Sequence, residues 1–583
     1  MVDHDFAPRP PAPAADSRAA AAHVGQAGAL ATLIMLAVQL IWRLNWSHNG
    51  VVQAFPEFIV AAVSRLTPLS VFGAATENYG SSAKKTLFLV VLIFIVSVGF
   101  RGGLVAGWLS RKFGRGGAGR TLAGLTVAAA LLLFTLVVVL PIAHLGAFAS
   151  GSSYTATIIT QLAVTFALYG LAWAFFSRPR EELVSAGGET LNRRAAISQG
   201  VLAGGTIAAA VAVGGATWRL LSPRKVKVDA AVKQPVTQDI VATQRARQGH
   251  PLSTPTPQAA AQTVDVAQLD SDVALQDDPF ALFMQLDAGK RITPVLTATD
   301  DFYHVSKNLS DPSVDGKGWT LKVTGLVEKE LTLTYDDVVK RATTSKITTL
   351  SCISNEINGD LAGTAEWTAL PLMDLLNEAG VKAGAVDIKM HAADDYEDSI
   401  PLARAMDPDT IVVVAMNGAP LRDDHGYPCR LIVPGIYGMK NVKWLDKLEV
   451  VDNDVMGYWQ SRGWSDTAVN QIWGRIEQPE GGKIDAGPTV ATGVASAGDR
   501  DVKRVEVSLD DGKTWSDATL EPSLNPPFTW VRWAFPFDAQ AGTKYKMKIR
   551  ATDGAGEVMI ETQRDPLPDG ATGWPSRGFE AKG

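Results

Sequence analysis

Long apolar stretches separated by short polar segments occupy the first 221 residues of the chain. Five of them stand out, at 28–42, 86–109, 122–145, 157–176 and 201–221. A helix needs about 20 apolar residues to cross the hydrocarbon core of a bilayer, and most of these stretches reach or approach that length. The first is completed by residues 20–27. The pattern predicts a disordered N-terminus at 1–19 and an all-α transmembrane bundle of five helices at 20–221, embedded in a lipid bilayer.

Basic residues in the short loops predict the orientation of this bundle. They follow the second stretch and precede the fifth: Arg111, Lys112, Arg115, Arg120, Arg178, Arg180, Arg193 and Arg194. Loops rich in Lys and Arg stay on the cytoplasmic side. With five crossings, the N-terminus is expected to be cytoplasmic and everything after residue 221 extracytoplasmic, in a multi-pass protein of the cell membrane.

Three further features bear on the role of the bundle. Phe55–Leu66 alternates apolar and polar residues at helical spacing, which suits an interfacial helix. His144 is the one histidine inside the five stretches, so no pair of haem ligands is visible and an anchor, with or without a docking role, is the simplest interpretation. "LNRRAAISQGVLAGG" resembles a twin-arginine export signal, although Arg193 and Arg194 would equally serve only to set the topology.

The pattern changes twice after the last apolar stretch. Residues 222–285 are rich in Ala, Gln, Pro, Thr and Asp, which predicts a linker because such a composition buries little apolar surface. From 286 to 473, β-rich runs such as "KITTLSC" and "TIVVVAM" alternate with two amphipathic segments, "LTYDDVVKRA" and "LPLMDLLNEAG", which indicates an α+β domain. From 474 to 583 strands alone are expected, typical of an immunoglobulin-like β-sandwich.

Composition and charge narrow the functional classes. The formal net charge is −6, and the polar half shows no basic run with interleaved aromatic residues, so nucleic acid is not expected as a partner. Two cysteines, Cys352 and Cys429, are too few for a disulfide framework. A zinc site needs about four clustered Cys or His ligands. Two distant cysteines and eight scattered histidines do not supply such a cluster, so a zinc site is not expected.

Several motifs in the polar half resemble one known family. "MNGAPLRDDHGYPCRLIVPGIYGMKNVKWLDKLEV" is similar to the pterin-binding segment of the sulfite oxidase family, and "SIPLARAMDP" and "VSLDDGKTW" match segments on either side of it. "TLSCISNEING" stands where that family places the cysteine that binds its metal. The resemblance covers 293–583, about half of the chain. It implies a sulfite-oxidase-type fold, the molybdenum cofactor (molybdopterin), and two-electron oxygen-atom transfer on a small-molecule substrate.

The resemblance also implies roles for particular residues. The resemblance implies that Cys352 is the metal ligand. Without it, a lone cysteine would ordinarily be interpreted as a small buried residue. Cys429 is expected to be structural. Pterin contacts carried over position by position are His425, Arg430, Asn441, Val442 and Lys443. The entry segment "DDFYHVSKN" adds Asp300, Tyr303, His304 and Asn308 to the same pocket, and Asp394 falls where relatives hold the pterin ring. Tyr303 has an equally good interpretation as a packing residue.

Departures from the family pattern leave the substrate open. Sulfite-oxidising members hold their dianionic substrate with arginines at the positions of Glu356 and Ser306, and the active-site tyrosine aligns with Trp464, which we take as a catalytic position. A carboxylate would repel sulfite. The chain also lacks the family's HPGG haem module, which implies a separate electron-transfer partner, and the terminal domain implies a homodimer. The alternative is an inactive extracellular binding or scaffold protein that retains the fold.

Overall fold

A computed structural model describes residues 14–45, 53–67, 81–114, 116–143, 147–149, 155–177, 206–219, 279–308 and 311–583. The chain divides into two compact units. The first is Met1–Lys225 with Asn308–Asp311, and the second is Val226–Lys307 with Pro312–Gly583. His144, Arg115, the basic residues from Arg178 to Arg194, and most of the predicted linker lie outside the described residues.

The first unit is helical wherever it forms regular structure. Its helices are α1 (Ala14–Asn45), α2 (Phe55–Leu66), α3 (Ser81–Phe113), α4 (Gly117–Phe134, continued by a π-helical turn, Thr135–Val139, to Ile142), α5 (Thr155–Phe176) and α6 (206–219). Four of them, α1, α3, α4 and α5, contain segments long and apolar enough to cross a membrane. The segment predicted to be interfacial is the helix α2. Of the fifth predicted span, the described part is α6.

Close backbone contact holds α1 against α3. A Cβ atom placed on Gly28 would lie 2.3 Å from the carbonyl oxygen of Gly99 and 2.9 Å from the Cα of Gly103. Lipid is as apolar as a leucine side chain, so small residues that allow such close packing are a main source of helix association in membranes. The bundle also buries an ion pair, in which Arg43 Nε lies 2.8 Å from Glu57 Oε2.

The second unit begins with one helix and continues as an α+β region. Its elements are α7 (Pro279–Ala288), β1 (Thr320–Gly325), β2 (Leu331–Thr334), α8 (Tyr335–Arg341), β3 (Thr344–Ser351), β4 (Ala362–Pro371), α9 (Leu372–Ala379), β5 (Asp387–Ala392), β6 (Glu397–Pro401), α10 (Leu402–Ala405), β7 (Ile411–Met416), β8 (Ala419–Pro420), β9 (Arg430–Ile432) and β10 (Leu445–Val451). The strands and the two main helices fall where the hydrophobic pattern predicts them.

Two sheets organise the α+β region. One has the order β2-β1-β10-β5-β6, in which β1 and β10 are parallel, and the other has the order β3-β4-β7-β8 with β9 beside β7. Leu321, Leu376, Ile388 and Leu448 are fully buried in the core of the first sheet. The second sheet buries Leu350, Trp367 and Val413, and its strands β3 and β9 lead to Cys352 and Arg430.

From Trp473 onwards every element is a strand. These strands are β11 (Trp473–Gln478), β12 (Gly482–Ile484), β13 (Gly487–Ser496), β14 (Val502–Ser508), β15 (Ser516–Asp517), β16 (Thr519–Leu520), β17 (Val531–Ala539), β18 (Lys544–Asp553) and β19 (Ser576–Ala581). They form two sheets, β11-β13-β17-β16 and β12-β19-β18-β14-β15. Both sheets contribute to one apolar core that includes Trp533 and Ile549. The C-terminal region is therefore β-rich, as expected.

The helix α7 overlaps the end of the predicted linker, 222–285. Its residues Leu282, Phe283 and Leu286 are buried against Val490 and Ala534 of the β-rich region. These apolar contacts come from residues about 200 positions away in the chain, so the local composition of the linker does not reveal them. The last residues of the predicted linker thus belong to the folded second unit.

Replacing Arg532 by leucine should weaken this attachment. Its guanidinium is almost fully buried, with Nη2 2.8 Å from Glu521 Oε1 and 3.0 Å from Asp287 Oδ2 of α7. Removing one partner of a buried ion pair costs about 3–5 kcal/mol, because the remaining carboxylates stay desolvated. We expect a lower midpoint of thermal unfolding and faster proteolysis at α7.

The matched control is Lys582→Ala, because Lys582 pairs with Asp485 at the surface, where such pairs contribute roughly 0–1 kcal/mol. Equal unfolding midpoints for the two variants would contradict the role given to Arg532.

Candidate functional site

Cys352 follows the last residue of β3, as the sequence predicted. Its backbone N–H donates to the carbonyl of Leu361 at 2.9 Å, and Asn355 Oδ1 accepts from the N–H of Leu361 at 2.9 Å, which closes the loop after the strand. The thiol lies 3.0 Å from Ser354 Oγ. Cys429, in contrast, is fully buried in the core of the first sheet, and burial raises the pKa of its thiol.

Two tyrosines lie close to Cys352. Burial raises the pKa of Tyr303, and the nearby Cys352 raises it further. Burial also raises the pKa of Tyr437 to about 12, with a further contribution from Cys352. Tyr303 fits here because Gly438 has no side chain, since a Cβ atom there would lie 2.5 Å from the Tyr303 hydroxyl. The entry segment and the pterin-segment loop therefore meet beside the cysteine.

Arg430 at the start of β9 is buried with part of its guanidinium unsatisfied. Its Nη1 donates to the carbonyl of His425 at 3.2 Å, and its Nη2 donates to that of Asn441 at 3.3 Å. Its Nε is buried, and no described residue offers it a partner. The ring of Trp367 lies 5.2 Å from the guanidinium carbon. Burial lowers the pKa of Arg430 to about 10, so the group stays cationic at neutral pH.

Gly426 brings a second cation close to Arg430. Its φ of +104° suits glycine, and a Cβ atom there would lie 2.9 Å from Lys443 Cβ and 3.2 Å from Arg430 Cβ. Lys443 Nζ donates to the carbonyl of Asp424 at 3.0 Å. The neighbouring His425 is neutral, because burial lowers its pKa to about 4. Its Nε2 lies 3.0 Å from the carbonyl of Thr299.

Asn441 and Val442 hold the backbone of this region. Asn441 Oδ1 accepts from the N–H of Val433 at 2.7 Å, and its Nδ2 donates to the carbonyl of Tyr437 at 3.0 Å. The carbonyl of Val442 accepts from the N–H of Leu431 at 2.9 Å. Five predicted residues, His425, Arg430, Asn441, Val442 and Lys443, therefore form one connected group, to which the charge of Arg430 also links Tyr303.

The remaining predicted residues are placed in different surroundings. Asp394 is buried, and Lys307 Nζ donates to its backbone carbonyl at 2.7 Å. Asp300 is exposed and forms an ion pair with Arg422, and His304 is exposed. Asn308 is assigned to the first unit. Trp464 packs in an apolar cluster with Ile353, the residue after Cys352.

Sequence reasoning passed over several residues of the site. Asn355 shapes the cysteine loop, and Tyr437 lies beside the thiol. Lys440 is buried, with its Nζ 3.1 Å from Asp398 Oδ1, and so ties β6 to the segment that carries Asn441. All three stand within the motifs "TLSCISNEING" and "GIYGMKNVKW", so the motifs themselves carried the signal.

Two family models match the chain from residue 308 onwards. The oxidoreductase molybdopterin binding domain matches residues 308–459, and the Mo-co oxidoreductase dimerisation domain matches residues 476–565. Mitochondrial sulfite oxidase of Rattus norvegicus is 29% identical over 319 residues, which are 46% of this chain and 58% of that protein. The Mus musculus protein is 31% identical over 310 residues, 45% of this chain and 56% of that protein. The chain thus spans little more than half the length of these relatives.

A solved structure, the sulfane dehydrogenase SoxCD from Paracoccus pantotrophus, is 26% identical, with a TM-score of 0.44 over 50% of this chain and 84% of that chain.

The connected group fits the cofactor that these matches imply. The pterin carries a phosphate, and buried cations with unsatisfied N–H donors suit such an anion. Arg430 Nε is a buried donor of this kind, and Lys443 adds a second cation beside it. Cys352 would supply a soft sulfur ligand for molybdenum. With these residues in place, the second unit contains the molybdopterin-binding and dimerisation domains of oxidoreductases related to sulfite oxidase, and the cofactor that its residues fit is the molybdenum cofactor.

Proposed function

We propose that the chain is a membrane-tethered, extracytoplasmic molybdopterin oxidoreductase that transfers an oxygen atom to or from a small substrate. One observation carries the proposal. The buried Arg430, whose Nε has no hydrogen-bond partner among the described residues, lies in the same site as the thiol of Cys352 at the end of β3. Such a pairing suits a phosphate-bearing metal cofactor, and packing alone gives no reason for it.

Different residues of the site would bind different parts of the cofactor. The molybdenum cofactor, when bound, supplies the two-electron chemistry of oxygen-atom transfer. Arg430 and Lys443 would bind its phosphate, while neutral His425 offers a hydrogen-bonding ring without adding charge. Cys352 would bind the metal as a thiolate, and Trp464 and Ile353 would shield that side from water. Asp394, Tyr303, Asp300 and His304 stay proposed pocket residues.

Tether, partner and assembly are parts of the same proposal. The four apolar helices of the first unit support a membrane anchor. Electron exchange with a separate partner remains part of the proposal. The match to a dimerisation domain supports a homodimer.

Metal analysis of the intact protein tests this function. Protein extracted from membranes and purified as the full chain should contain about one molybdenum and one pterin per chain, measured by mass spectrometry and by fluorescence of the oxidised pterin. The Arg504→Lys variant, altered at an exposed position of β14, should contain the same amounts. Well-folded protein without molybdenum would rule the enzyme out.

A further inference from the structure

A cavity of about 160 Å³ lies among the helices of the first unit. The helices α1, α2, α3, α4 and α5 all contribute side chains to its wall. An apolar cavity of about 150 Å³ in an engineered protein is large enough to bind benzene. The cavity of the first unit therefore has room for one six-membered ring.

The wall of the cavity offers a ligand apolar contacts only. Its hydroxyl groups belong to Thr32, Thr135 and Tyr169, and each donates to a backbone carbonyl of the bundle, at 2.8, 2.9 and 3.0 Å. A hydroxyl has one hydrogen to donate, so the described wall has no free donor. A charged or strongly polar ligand would lose its hydration here without compensation.

Aromatic side chains dominate the wall. Five of them surround the cavity: Phe55, Phe94, Phe134, Phe166 and Tyr169. Aromatic rings pack well against one another edge to face, and Phe55 and Phe166 already do so, with centroids 5.1 Å apart. A wall of this kind favours a flat ring over a plain acyl chain.

The cavity reaches the outer surface of the bundle between α3 and α4. Two of its wall residues, Phe94 and Phe134, are 54% and 56% exposed. Both lie within helical segments long and apolar enough to cross a membrane. With the proposed membrane tether, the opening faces the acyl chains, so a ligand can enter from the bilayer and leave a hydrocarbon tail there.

One side of the cavity is formed by the π-helical turn that continues α4. Thr135 and Val139, the first and last residues of this turn, both line the cavity. Single π-helical turns inside α-helices are rare and occur frequently at functional sites. The irregular turn and the cavity therefore coincide.

Two buried amides adjoin the cavity beside α2. Gln39 Oε1 accepts from the N–H of the wall residue Phe55 at 3.2 Å and from Gln161 Nε2 at 2.7 Å. Gln161 Nε2 also donates to the carbonyl of Gln53 at 3.2 Å, which fixes the orientation of its amide. Gln161 Oε1 is buried, and no described residue offers it a partner. The missing partner is a hydrogen-bond donor, because an amide oxygen only accepts.

We propose that the cavity binds the ring of a lipid-soluble quinone, with its hydrocarbon tail leaving between Phe94 and Phe134. In the reduced form, the quinol, a ring hydroxyl would donate to Gln161 Oε1. A quinol that becomes a quinone releases two electrons and two protons, which convert an oxide into its parent compound and water. The reverse reaction balances in the same way. The inference rests on the proposed function, for which it names the class of the electron partner.

Retention of a quinone by the full-length protein tests the inference. The protein is placed in lipid nanodiscs containing decylubiquinone or decylubiquinol, and the amount per chain is measured after extraction. Nanodiscs without protein give the amount dissolved in lipid. We expect about one molecule per chain above that amount, and about tenfold tighter binding of the quinol than of the quinone.

Variants separate the cavity from the lipid around the bundle. Val98→Trp fills the cavity and should abolish the extra quinone. Its matched control is Val105→Trp on the same helix, because Val105 is 50% exposed and lies outside the wall, so retention should be unchanged. Phe94→Leu removes a ring at the half-exposed opening, where folding tolerates the change, and should lower retention several-fold. Gln161→Leu should remove the preference for the quinol and keep quinone binding.

Retention no greater than in empty nanodiscs would mean that acyl chains alone fill the cavity, and it would overturn the inference. So would equal losses in Val98→Trp and Val105→Trp, unchanged retention in Phe94→Leu, or a quinol preference that survives Gln161→Leu. Molybdenum is measured in the same preparation. Molybdenum-loaded protein that retains no quinone contradicts only this inference, whereas protein without molybdenum contradicts the proposed function.

Discussion

Cys352→Ser should abolish oxygen-atom transfer while leaving the pterin in place. A serine hydroxyl does not ionise as a thiol does, and it is a harder ligand, so the protein's bond to molybdenum would be lost. Loss of even an outer contact of a metal site costs about 10- to 100-fold in affinity or activity. We therefore expect activity to fall by roughly 100-fold or more, together with loss of the absorption of a thiolate bound to the metal. Turnover with an artificial electron carrier and the visible spectrum provide the measurements.

Cys429→Ser is the matched control for this variant. Cys429 is as small and even more deeply buried, but it lies in the apolar core of the first sheet. A buried hydroxyl without a partner costs about 1–3 kcal/mol, so Cys429→Ser should lower stability and keep the specific activity of its folded fraction. If the Cys352 variant retained wild-type activity, the thiol would have no part in the chemistry.

Arg430→Lys should deplete the cofactor as a whole. Lysine keeps the positive charge but lacks the three-nitrogen guanidinium. It therefore cannot donate to the carbonyls of His425 and Asn441 and also offer the donor that Arg430 Nε leaves without a partner. Each hydrogen bond to a charged group contributes about 1.5–3 kcal/mol, which corresponds to roughly 10- to 100-fold in affinity. Pterin and molybdenum content should fall together, in contrast to Cys352→Ser, which should retain the pterin.

A fold control is needed because Arg430 is buried. The far-ultraviolet circular dichroism of Arg430→Lys should match that of the parent protein. A variant that is folded and carries the full complement of pterin would show that Arg430 does not bind the phosphate.

The strands and the cysteine site were predictable because their signals are local. Alternating or continuous apolar runs marked β3 and β7, and the motif around Cys352 placed the thiol at a strand end. The group of Arg430, His425 and Lys443 comes from one continuous segment, so a single motif located all three. Lys440 and Tyr437 in that segment were missed, because nothing local distinguishes a buried lysine or tyrosine from an exposed one.

The sequence alone does not predict the surroundings of a side chain when residues far away in the chain determine them. Asp300 stands three positions before Tyr303, and its exposed carboxylate is paired with Arg422, so its role in the pocket stays a prediction. The helix α7 is buried by β13 and β17, which the composition of the preceding linker does not reveal. The identity of Arg430 was visible from the sequence, whereas the lack of a hydrogen-bond partner for its buried Nε appears only once the side chains around it are placed.

The packing of α7 against the β-rich region determines how the second unit would transmit a mechanical force. A pull from the N-terminal side of Pro279 would reach Asp287 and Arg532 first, and from there β17, which is paired with β13 from Gly487 to Ala495. Tension would thus be shared along a ladder of hydrogen bonds in the C-terminal region. The strand that leads to Cys352 is joined to this ladder, because the N–H of Thr349 in β3 donates at 2.9 Å to the carbonyl of Phe528, just before β17. A load on α7 would therefore also reach the strand that positions the cysteine.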